Sequence, residues 1–116
     1  MGISSLQGML SADVKVEPFK SQGRHAKTYG VSETYRAHIE RGHFELEDPN
    51  GQSVVGKFKI IFGSAVQVDI RDRITIPKEY GIRDSSGDFQ TVQPNIYSVE
   101  HKFFRGVHDH TVVICG

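Results

Sequence analysis

From Val66 to Pro77 the chain reads VQVDIRDRITIP: Val66, Val68, Ile70, Ile74 and Ile76 are apolar, while Gln67, Asp69, Arg71, Arg73 and Thr75 between them are polar or charged. A β-strand turns successive side chains to opposite faces, so this period of two predicts one greasy face and one wet face. Asp72 breaks the pattern. Twelve residues at about 3.3 Å each would span roughly 40 Å, about twice a usual strand. We therefore expect a bend or bulge at Asp72 that joins two shorter strands, with a small antiparallel sheet folded over the apolar face.

The remaining segments supply that sheet. Val14 and Val16 alternate with Lys15 and Glu17 in a first strand that Pro18 and Phe19 end. Residues 32–42, SETYRAHIERG, fit two patterns. Ser32 and Gly42 could cap a helix, whereas Tyr35, Ala37 and Ile39 alternate with Arg36, His38 and Glu40 as a strand does. We favour the strand, because a hairpin follows it. Phe44 to Glu47 runs into Asp48-Pro49-Asn50-Gly51, where proline presets the turn dihedral and Asn-Gly accepts positive φ. Beyond that turn Val54, Phe58, Ile60 and Phe62 share one face, opposite Lys57 and Lys59. Near the end, Tyr97, Val99, His101 and Phe103 alternate with Ser98, Glu100 and Lys102, and Arg105-Gly106 turns the chain. Val107 to Cys115 then returns with apolar residues on both faces, as a central strand does. Short strands with turn residues between them predict an all-β fold, a small antiparallel β-barrel or sandwich. We assign residues 1–11 to an N-terminal arm and 12–116 to a single β-barrel domain.

Two stretches are set apart by their polarity. Residues 20–30 carry Lys20, Arg24 and Lys27 without an acid. This locally basic loop reads as a solvated turn or as a contact to phosphate. Residues 78–94 form a long polar segment of little periodicity, with Lys78, Tyr80, Arg83 and Phe89 as its contact candidates. The N-terminal arm has Ile3, Leu6, Met9 and Leu10 at helix-like spacing, so it stays loose or docks on a neighbouring subunit.

Fourteen basic residues balance fourteen acidic ones, which removes any global pull toward nucleic acid or an anionic membrane. Any DNA contact must be local. A net charge of zero also protects little against self-association. Cys115 has no second cysteine to pair with, which fits a reducing cytoplasm. It reads as a small apolar residue near the chain end, since catalytic use would need an oriented base. With no membrane-length apolar run and no signal-peptide pattern at the start, we expect a protein neither exported nor membrane-bound.

His108 and His110 form an HxH pair whose two imidazoles would point to the same side of a strand, as two ligands of a metal should, with His101 a possible third. Two histidines beside a turn more commonly face solvent or bond to backbone. Glu45, Glu47 and Asp48 read as the solvated face of a hairpin. Asp72 with Arg71 and Arg73 reads as an ion-pair cluster or as a turn aspartate bonded to its own backbone. No Gly-rich phosphate loop, GxSxG or HExxH motif is present, so we expect no catalytic residues and no cofactor.

The order of five pieces carries a resemblance: YRAHIERG from Tyr35, DPNGQSVV, DRITIP, IYSVE from Ile96 and HDHTVVIC from His108. Together they resemble the small head-to-tail connector proteins of long-tailed bacteriophages over residues 29–115. In that family a Tyr-Arg strand, a Gly turn, an Asp-Arg-Ile-Thr-Leu-Pro-like segment, an Ile-x-x-Val strand and a terminal His-His-x-Val-Val-like strand follow in this order. The chain departs from it in having Asp109 between its histidines and a long insert after Pro77.

The resemblance implies a head-closure, or stopper, protein of the virion neck, a β-barrel without catalysis that is assembled in the host bacterial cytoplasm. Its partners would be copies of itself in a ring, the portal or adaptor protein, the tail terminator or other tail proteins, and packaged double-stranded DNA, with no membrane. The family carries over no residue for DNA contact. Length and charge nominate Lys20, Arg24, Lys27, Lys78, Tyr80, Arg83 and Phe89, with Asp72, Arg73, Ile74, Pro77, Val99 and His110 defining the fold. The alternatives are a tail terminator or other neck or minor capsid protein and, in a different class, a small metal-binding barrel built on His101, His108 and His110. Adaptors tend to be helical, which the alternation disfavours.

Overall fold

A computed structural model describes residues 12–23, 26–63, 66–80, 82–83 and 85–116. The expected arm 1–11 and Arg24 lie outside the described residues. Five strands of the main sheet come in chain order as β1 (Ala12–Glu17), β4 (Glu33–Glu47), β5 (Ser53–Phe62), β6 (Arg73–Thr75) and, after further short elements, β9 (Ile96–Phe104). The last strand, β10 (Val107–Cys115), completes it. The sheet order is β6-β1-β4-β5-β10-β9, every pairing is antiparallel, and the sheet curls into a half-barrel. The all-β expectation stands. Residues 33–42 are strand, and β10 lies between two neighbours as its two-sided apolar pattern requires.

The ladder builds the concave face row by row. Ala12 lies opposite Ala37, Ala37 opposite Phe62, Phe62 opposite Thr111 and Thr111 opposite His101. The next row joins Ile39, Ile60, Val113 and Val99. Phe58, Ile60, Phe62 and Val113 are fully or almost fully buried, with Val99 and Tyr35 packed half-buried against them.

The Val66–Pro77 segment closes the open side of this curl. Its alternation holds, since Val66, Val68, Ile74 and Ile76 are buried while Gln67, Asp69 and Arg71 are exposed. The two joined strands expected there do not form. Val66 to Asp69 forms no strand, Ile70 and Arg71 turn, and only Arg73–Thr75 enters the sheet, beside β1. The Val66 carbonyl accepts the Thr111 hydroxyl at 2.9 Å, while Val16 pairs with Ile74 at the sheet's far edge. The segment thus crosses the mouth from β10 to β6 and supplies four of the core side chains.

One other expectation is corrected. Residues 20–30 are not an open loop but a hairpin of β2 (Phe19–Gln22) and β3 (Lys27–Tyr29), closed at its base by Gly30 N–H to Pro18 O at 2.7 Å. The polar segment 78–94 also has internal order. It contains a 3-10 turn at Lys78–Tyr80, in which Tyr80 N–H reaches Pro77 O, and a two-residue ladder of β7 (Ile82–Arg83) with β8 (Phe89–Gln90). Reciprocal backbone bonds between Ile76 and Val92 tie its end to the core.

Candidate functional site

β1 and β4 run antiparallel with Val16 opposite Glu33, so the β2–β3 hairpin emerges at the end of the sheet where β4 begins. Asp72 holds it there. One carboxylate oxygen accepts Phe19 N–H at 2.8 Å and the other accepts Asp69 N–H at 2.9 Å. The residue that breaks the alternation therefore latches two segments 53 positions apart. It pairs with neither adjacent arginine. Arg71 bonds Asp69 at 3.0 Å, and Arg73 makes a bidentate pair with Glu17 at 3.0 and 2.8 Å. Both guanidinium groups also stack on hairpin aromatics, Arg71 over Phe19 at 4.9 Å and Arg73 over Tyr29 at 4.3 Å. Hydrogen bonds from Arg73 hold the Glu17 carboxyl below its ordinary range, and the Arg71 backbone N–H with its side chain does the same for Asp69.

Beneath the hairpin lies a polar cleft of about 290 Å³, walled by Lys27, Tyr29, the Ile70–Arg73 turn and the end of the long segment at Gln93–Ile96. Lys20 and Lys27 are exposed on β2 and β3 and have no ionic partner among the described residues. Of the other nominated residues, Lys78 is exposed on the 3-10 turn and Tyr80 packs against the core. Arg83 pairs with Phe89 in the backbone ladder of β7 and β8. The nominated residues therefore belong to several elements, and among those whose side chains are described Lys27 is the one that lines this cleft. Arg71 and Arg73, read from sequence as ion-pair or fold residues, line it too.

At the other end of β4 the chain forms a projecting arm. The β10 ladder on β5 stops at Phe58, so from Phe44 opposite Gly56 to Glu47 opposite Ser53 the hairpin has two strands and, among the described residues, no third. Asp48 makes its turn. The Asp48 carboxylate accepts Asn50 N–H and Gln52 N–H at 2.9 Å each, its carbonyl accepts Gly51 N–H, and Gly51 takes φ +82°. A bulge between Arg41 and Phe44 sets the arm off from the barrel. Phe44, Leu46 and Val54 are half-buried, whereas Glu45, Glu47 and Val55 are exposed.

A third exposed feature is the β9–β10 tip. Arg105 and Gly106 take φ +52° and +79°, the left-handed pair that a two-residue hairpin turn of this hand needs. Phe103, Phe104 and Val107 stand exposed around it.

The histidine pair does not have the geometry expected of it. A bulge at Asp109 leaves His108 opposite Phe103 and His110 opposite Lys102, so the strand's alternation breaks between them. His108 packs on His101, ring centroids 5.6 Å apart, and meets the Thr111 hydroxyl at 2.8 Å. His110 instead pairs with Asp109 at 2.8 Å. Among the described residues no group of three or more His, Cys, Asp or Glu side chains is arranged to hold a metal. Cys115 is fully buried, and burial pushes its thiol up to about 12, so at neutral pH it is protonated and unreactive.

Among the described residues no helix is long and apolar enough to cross a membrane. No model of a known protein family, no curated protein and no solved structure matches this chain.

Proposed function

We propose that this chain is a structural protein of the bacteriophage neck, a head-closure subunit that forms a ring between portal or adaptor and tail, retains packaged DNA and offers the tail its attachment platform. One observation supports the reading above the others. The segments that carry the resemblance are scattered through the chain, yet YRAHIERG lies in β4, Arg73–Thr75 of DRITIP forms β6, IYSVE lies in β9 and HDHTVVIC in β10. All four strands belong to one sheet. The order of motifs in this chain is then an order of strands in one sheet.

The surfaces also suit a subunit that works by binding. Among the described residues the half-barrel keeps two outer strands, β6 and β9, and unpaired sheet edges are templates for contact. Phe103, Phe104 and Val107 add an exposed apolar tip. The expected outcome of deleting the protein is heads that package DNA, lose it and accept no tails, with both defects cured when the chain is supplied. Electron microscopy and nuclease protection read this out. Intact tail-bearing particles from the deletion would refute the reading.

A further inference from the structure

We propose that the β4–β5 arm of one copy docks against the β2–β3 hairpin and the cleft beneath it on a second copy, joining identical chains head to tail. The proposal rests on the ring reading above, to which it supplies the contact between copies.

Charge carries it first. Residues 44–56 hold Glu45, Glu47 and Asp48 and no Lys or Arg, three acids against no cations, or −3. Residues 19–30 hold three cations, Lys20, Arg24 and Lys27, and no acid, or +3. The zero net charge of the chain thus conceals two opposite and equal segments. Local pairing leaves their ends uncompensated. Arg71 and Arg73 are neutralised by Asp69 and Glu17, Asp48 is engaged in its own turn and Glu45 lies 3.3 Å from His43. Glu47 on the arm and Lys20 and Lys27 on the hairpin have no ionic partner among the described residues.

Position carries it second. The hairpin sits where β4 begins and the arm where β4 ends, so within one chain the two charges point away from each other. They can meet only between copies. Among the described residues the arm also has no third strand, and it exposes Val55, 41% accessible and opposite Glu45, which gives the contact an apolar element beside its charges. Because the two surfaces differ, the contact is heterologous, and repetition closes a ring when the rotation permits.

Sedimentation velocity of the full chain at low and high salt tests the proposal, with two charge-reversal variants, Glu45→Lys/Glu47→Lys and Lys20→Glu/Lys27→Glu. All four side chains are exposed, so both should fold, which circular dichroism checks; should one fail, Gln replacements at the same positions serve the same comparison. The wild type should associate more weakly as salt rises. Each variant alone should associate roughly tenfold or more weakly, because like charges then face each other. An equimolar mixture of the two should associate again, since each variant's arm then opposes the other's hairpin. A chain monomeric at every concentration and salt would overturn the proposal, as would association that both reversals leave intact or a mixture that stays dissociated. Variants that still form rings and complement the deletion would remove this contact and leave the neck reading standing; complementary association without rescue of particles would do the reverse.

Discussion

Among the described residues Thr111 is the buried polar side chain of the core, and its one hydroxyl proton settles the chemistry around it. That proton goes to the Val66 carbonyl at 2.9 Å, so the 2.8 Å contact with His108 must run the other way, from a proton on His108 Nε2. The hydroxyl therefore ties β10 both to the segment that closes the barrel mouth and to the strand's own bulge. Thr111→Val keeps the shape and leaves the carbonyl and the ring N–H without this partner. We expect it to lower the stability to urea by about 1–3 kcal/mol, the cost of stranding buried polar groups. Thr111→Ser, which keeps the hydroxyl, should retain more of the stability than Val does. A Val variant as stable as the wild type would show that the bridge contributes nothing.

At the scale of the strand, the root of the arm depends on the absence of a side chain. A Cβ on Gly56 would run into Ile114 Cγ2, closer than carbon atoms approach, because β5 and β10 pack tightly where their ladder ends. Gly56→Ala should cost about 1–3 kcal/mol by overpacking. In an Ile114→Ala background the same substitution should cost less, since the obstructing methyl is gone, and a double-mutant cycle by thermal or urea unfolding measures the difference. Equal costs in both backgrounds would exclude the clash. The same strand shows which features could be read from sequence. The Asp48–Gly51 turn, the alternation of β5 and the Arg105-Gly106 turn rest on neighbouring residues, and they were legible. The Asp109 bulge was not, because it reconciles two separate demands. The turn sets Val107 opposite Phe104, while the core requires Thr111, Val113 and Cys115 to face inward. A second shift sets Cys115 opposite Ile96 rather than Tyr97, for which local alternation holds no sign. Asp72 teaches the same lesson. Its turn bond is local, but its bond to Phe19 N–H depends on where a hairpin 53 residues away arrives. For the candidate site, the basic composition of the hairpin was visible and the cleft beneath it was not, since three distant segments build its walls.

Over the whole molecule, the ion pairs divide into those that stay within one element and those that hold elements together. Lys102 with Glu100 lies along β9, and Arg71 with Asp69 lies within one turn. Arg73 with Glu17 instead joins the edge strand β6 to β1, and its guanidinium also covers Tyr29 of the hairpin. The carboxyls of Glu17, Asp69 and Glu100 are all held below their ordinary values, Glu17 chiefly by the Arg73 hydrogen bonds. The side chains of Asp69 and Glu100 are 53% and 58% accessible, so solvent screens much of their contribution, whereas that of Glu17 is 18% accessible. A folded-state pKa lowered from 4.5 means that the unfolded chain binds the proton first as pH falls. The stabilisation is therefore complete above that value and is lost as pH drops through the folded pKa. From this source the urea midpoint should stay level between neutrality and about pH 5 and decline below it. Glu17→Gln should lower the midpoint at neutral pH and flatten the acid decline, because the variant has already lost the charge that protonation would remove. The loss should show first at β6, in faster hydrogen exchange at Ile74 than at Val113 in the middle of the sheet, since the pair secures an edge whose ladder is three residues long. A Glu17→Gln protein that declines in acid as steeply as the wild type would move the titrating groups elsewhere and leave β6 held by its ladder on β1 and the burial of Ile74.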